Sequence, residues 1–85
     1  MVFMAKRYVM FTYPAGLIKE PIIYNLGQQF NIVTNIRRAD VTSDRGWVIL
    51  ELDGEEKAIE KGLSWVTSKG VRVETVSQKS VEDAS

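Results

Sequence analysis

The sequence predicts an α+β sandwich, a four-stranded antiparallel sheet with two helices on one face, in the order β-α-β-β-α-β. Three observations predict it. Runs rich in β-branched and aromatic residues fall at 7–13, 31–41, 47–53 and 71–76. Stretches with apolar residues at helical spacing follow the first run and the third. Only a short turn-like segment, "TSDRG", joins the middle two runs, which therefore form a hairpin.

Each element has its own signal. In "RYVMFTY", Val9, Phe11 and Tyr13 share one face, and Tyr8, Met10 and Thr12 the other. Pro14 and Gly16 end that strand. Pro21 suits a first helical position, and Ile22, Leu26 and Phe30 then recur every four residues with Ile23 beside them. "NIVTNIRRADV" changes phase: Ile32, Thr34 and Ile36 share one parity, Ala39 and Val41 the other. A one-residue slip at Arg37-Arg38, a β-bulge, returns both sets to one face. "TSDRG" reads as a turn, with Gly46 able to take positive φ. In "WVILELD", Val48, Leu50 and Leu52 oppose Trp47, Ile49 and Glu51. Asp53 and Glu56 have the spacing of a capping box. Behind them Ile59, Leu63 and Val66 form a helical stripe edged by Ala58, Gly62 and Trp65, and Gly70 ends the helix. Val71 and Val73 point inward from the last strand.

This element order is that of the ferredoxin-like sandwich, with spatial strand order 4-1-3-2. At 85 residues the chain is a single domain, expected to span 1–78, with 79–85 a polar, flexible tail.

Composition excludes several classes of function. There is no cysteine and no histidine, hence no disulfide, no cysteine-held cluster and no Ser–His–Asp triad. No metal, cofactor or catalytic residue is expected, so the chain reads as a non-enzyme. Eleven basic residues balance eleven acidic ones, for a net charge of zero. That speaks against nucleic-acid binding, as does the single aromatic of "GWVILEL" where RNA-binding sheets carry a Gly- and aromatic-rich motif. No apolar run approaches the roughly 20 residues needed to span a bilayer. The expected address is the cytoplasm, with no direct membrane insertion.

The helices are expected to cover Val9, Phe11, Ile36, Val48 and Leu50. The opposite face would then show Tyr8, Met10, Trp47 and Ile49 on the two middle strands, an exposed apolar patch of the kind that marks an interface. Arg37 and Arg38 offer a clamp for a carboxylate or phosphate. Alternatively one of them faces solvent and the other pairs with Asp40 or Glu51.

"YPAGLIKEPIIYNLGQQFNIVTNIRRADV", "GWVILELDG" and "AIEKGLSWVTSKGVRVETV" together resemble the NIL domain, the ferredoxin-like regulatory domain at the C-terminus of methionine-importer ATPase subunits. The resemblance runs from Arg7 to about Val76. It implies a domain that pairs with a second copy and binds methionine, which inhibits transport in the importers. The family's signature asparagine falls on Asn35 and its second motif position on Ile36; Arg37 stands where leucine is usual. The chain carries neither a Walker motif nor the cysteine-ligated cluster module joined to some such domains in sulfur metabolism, so it looks like a stand-alone NIL domain. The expected function is a non-catalytic, dimeric regulatory module that senses a small amino-acid-like ligand at Asn35, Ile36, Arg37 and Arg38. One alternative is a protein-interaction adaptor using the Tyr8, Met10, Trp47 and Ile49 face. The other is an auxiliary subunit in sulfur metabolism. Asn35 itself has two readings: a ligand contact, or an amide bonded to its own backbone at the bend.

Overall fold

The computed structural model describes residues 3–14, 21–42 and 45–79. The elements run β1 (Met4–Tyr13), α1 (Ile22–Phe30), β2 (Val33–Val41), β3 (Gly46–Glu55), α2 (Glu56–Ser68) and β4 (Arg72–Thr75). All strand pairs are antiparallel and the spatial order is β2-β3-β1-β4. This is the ferredoxin-like α+β fold. The Gly16 strand end, the Ser43-Asp44 part of the turn and the tail beyond Lys79 lie outside the described residues.

The core lies between the sheet and the helices. Val9, Phe11, Leu50, Leu52, Leu26, Ile59 and Val66 are fully buried there, each large side chain contributing about 1.5–3 kcal/mol by leaving water. Val71 joins this core, and Val73 packs against it.

Local chemistry sets the helix ends. Pro21 is the N-cap of α1, one residue ahead of the position expected for it. Asn31 closes α1 in the left-handed region at φ 55°, which Asn tolerates better than most residues. Gly70, at φ 94°, follows α2 in the same way. The expected capping box is not formed. β3 continues through Asp53 to Glu55 because Lys6, Ala5 and Met4 extend β1 alongside it. The first free N–H of α2, on Glu56, instead donates to the Phe3 carbonyl at 2.8 Å.

Two glycines serve close packing. Gly46 has no positive φ: it sits in β3, where a Cβ would lie 3.0–3.2 Å from atoms of Val41. Gly62 lets α2 approach Leu26 and Ile32.

The bulge lies where the phase change places it. Ile36 pairs with Leu50 and Arg38 with Ile49, leaving Arg37 as the extra residue. Thr34, Ile36, Ala39 and Val41 consequently all stand on the helix side of β2. Ile36, however, is not covered. It is 59% exposed, because β2 is an edge strand beyond the reach of the nine-residue α1.

Candidate functional site on the open sheet face

The pairing registers order the open face into three rows across β1, β3 and β2. The first is Tyr8, Glu51 and Asn35; the second Met10, Ile49 and Arg38; the third Thr12, Trp47 and Asp40. Three of the four ligand residues expected from sequence and all four interface residues therefore share one face. Ile36 alone points to the other side.

The patch expected to be exposed is only partly so. Ile49 is 8% exposed, and Tyr8, Met10 and Trp47 are half-buried. Ile49 is boxed in by Met10 and Arg38 across the strands and by Trp47 and Glu51 along its own, so the sheet shields it without a third layer.

Glu51 organises the first row. Its side chain is only 11% exposed, yet it meets two cations: Lys6 Nζ lies 3.1 Å from Oε1 and Arg37 Nη1 lies 3.6 Å from Oε2. A hydrogen bond from the Lys6 ammonium to Glu51 and then the Glu51 charge, with smaller effects of Asp53 and Tyr8, hold Lys6 above its ordinary value of 10.5. The bulge is what lets Arg37 reach this row, so both arginines serve the same face. Sequence reasoning saw Glu51 only as an arginine's partner. Its signal as a centre of the site was a carboxylate in the middle of an otherwise apolar strand.

Arg38 and Asp40, in contrast, belong to no ion pair among the described residues. The Asn35 side chain is exposed and makes no hydrogen bond there, so its amide is not committed to its own backbone. Beyond Arg38 the face opens into a shallow depression of about 370 Å³, lined by Thr12, Asp40, Thr42, Arg45, Gly46 and Trp47. Asn35 is not in that lining; it sits roughly 13 Å back along β2, at about 3.3 Å per strand step. No group of three or more acidic residues suited to a metal occurs among the described residues.

An open sheet with an exposed amide, an exposed guanidinium and a shielded carboxylate between two cations defines a small ferredoxin-like domain with a polar and aromatic open face. The NIL domain family model matches residues 7–75, and the chain belongs to that family. Membership fits a regulatory module. Among solved structures, the C-terminal domain of an ABC transporter ATP-binding protein from Enterococcus faecalis superposes with a TM-score of 0.70 at 20% identity, over 85% of this chain and 84% of that one. The de novo designed protein Foldit4 does so with a TM-score of 0.54 at 8% identity, over 89% of this chain and 99% of that one. At these identities both likenesses concern the fold. No curated protein matches in sequence. Among the described residues, no helix is long and apolar enough to cross a membrane.

Proposed function

We propose that the chain is a non-catalytic, cytoplasmic regulatory module that dimerises and binds a small amino-acid-like ligand on its open face, with methionine, the ligand of the importer domains, as the first candidate. One observation carries the reading: the β2 bulge sets Asn35, Arg37 and Arg38 on one face, with no side-chain partner for Asn35 or Arg38 among the described residues. An amide supplies both a donor and an acceptor, and a free guanidinium supplies a charge-assisted contact to a carboxylate. Half-buried Trp47 and Met10 supply apolar contact for a side chain. Arg37, engaged by Glu51, shapes this row; Ile36, on the far side of the strand, takes no part.

The test is calorimetry of the wild type and Asn35→Ala with a panel of sulfur-containing and branched amino acids. The expected result is binding by the wild type and a loss of about 1–3 kcal/mol in the variant, the cost of an unmet polar contact. A wild type that binds none of them at millimolar concentration ends this reading. The adaptor reading, in which Tyr8, Met10, Trp47 and Ile49 dock a larger partner, then takes its place, although the burial of Ile49 leaves that face less apolar surface to offer. A role beside sulfur-metabolism enzymes rests on family analogy alone.

A further inference from the structure

On the helix side of the sheet, at the end away from the start of α2, a pocket of about 220 Å³ opens beside the first turn of α1. Its walls come from Tyr13 of β1, Val41 of β2, Val48 of β3, and Pro21 and Ile22 at the start of α1. The register thins the packing there. Tyr13 and Val41 both pair with Gly46, so that row has a side chain on each flank and none in the middle. Tyr24, at 66% exposure, and Val41, at 52%, present apolar surface beside the opening.

The chemistry of the lining is narrow. It has no charged side chain, and its polar side-chain groups are two phenols, those of Tyr13 and Tyr24. Tyr13 is only 7% exposed, yet its hydroxyl makes no hydrogen bond among the described residues. No fully enclosed side-chain oxygen lacks a partner among the described residues. The Tyr13 hydroxyl is therefore not sealed in. It meets open space, and this pocket is the space that Tyr13 lines. A hydroxyl largely removed from water and given no partner is costly, and a suitable acceptor would offset that cost.

We propose that this pocket binds a small neutral molecule, one ring in size, whose hydrogen-bond acceptor takes the Tyr13 O–H. Size sets the first limit: a dry cavity of about 150 Å³ holds benzene, so this one suits a ring with a short substituent. Charge sets the second. An ion would lose its hydration here and find no counter-charge among the lining residues. The direction of the bond follows from burial, which alone raises the phenol from 10.0 to about 12, so Tyr13 keeps its proton near neutrality and donates it. The site is separate from the amino-acid site proposed above. Asn35 and Arg38 stand on the other face of the sheet, and the pocket lacks the charges that a zwitterion needs.

The test is a titration of the full chain followed by the backbone amide NMR signals of Tyr13, Ile22, Val41 and Val48. Four probes of nearly one shape separate the requirements: benzyl alcohol, ethylbenzene, benzylammonium and benzoate. Benzyl alcohol should shift these amides at millimolar concentration and bind more tightly than the other three. Tyr13→Phe keeps the ring and loses no internal hydrogen bond, so the variant should fold as the wild type does. It should bind benzyl alcohol about fivefold or more weakly and ethylbenzene unchanged. No shift at these amides with benzyl alcohol, equal binding of benzyl alcohol by Tyr13→Phe, or a charged probe bound as tightly as the alcohol each overturns the proposal. Methionine shifting Asn35 and Arg38 is a different result, so either site can fail without the other.

Discussion

A Cβ added to Gly62 would lie 2.6 Å from Leu26 Cδ1, inside the contact distance of any two carbons. The same Cβ would meet Ile32 Cδ1 at 3.0 Å, and both neighbours are buried in the packed core. Two effects then compete in Gly62→Ala. Helix propensity favours alanine by about 1 kcal/mol, while overpacking costs about 1–3 kcal/mol. The crowding wins: Gly62→Ala should lower the midpoint of denaturant unfolding, against the usual trend for glycine within a helix.

Glu51→Gln should change titration more than stability. Lys6 and Arg37 are about half exposed, so solvent screens both pairs, and the expected loss of stability is small. The Lys6 ammonium, no longer facing a carboxylate, should titrate closer to 10.5. Side-chain NMR of the lysine reads this directly; an unchanged Lys6 titration would show that Glu51 is not its partner in solution.

Tyr13 sets an alkaline limit. Burial raises its phenol from 10.0 to about 12. A group whose value is raised by folding stabilises the fold fully below its unfolded value, and that contribution fades as pH rises through the folded one. The loss therefore falls between about pH 10 and 12 and amounts to on the order of 2–3 kcal/mol. Lys6, also raised, adds in the same direction above pH 10.5. Tyr13→Phe should match the wild type near neutrality and flatten the decline above pH 10; equal slopes in both proteins would discount Tyr13.

Asn35→Ala should leave the free protein within about 0.5 kcal/mol of the wild type, because the exposed amide makes no hydrogen bond among the described residues. A clear drop in thermal midpoint would mean that the amide caps the bend after all.

The phase change between Ile36 and Ala39 made the bulge readable before any coordinates, and the repeats in the two helices and four strands made the sandwich readable. What local patterns could not carry was decided by distant partners. Asp53 has the spacing of a cap, yet pairing with Lys6 across the sheet holds it in a strand. Gly46 looks like a turn glycine, but it is small because Val41 lies against it. Ile36 has core parity, and only the lateral position of β2 leaves it in water. The burial of Ile49 and Glu51 on a face without helices follows from the side chains around them, which strand alternation does not count.

The Phe3 carbonyl bonded to the first turn of α2 sets the mechanics of the domain. β1 is held by β3 along its whole length and by β4 from Val9 to Thr12. A force applied through the start of the chain therefore meets the Glu56 hydrogen bond first, and then the ladders that hold β1 to β3 and β4. A tether ahead of Phe3 would transmit its pull into the centre of the sheet and the start of α2, while β2, carrying Asn35 and Arg38, lies outside the path of the load.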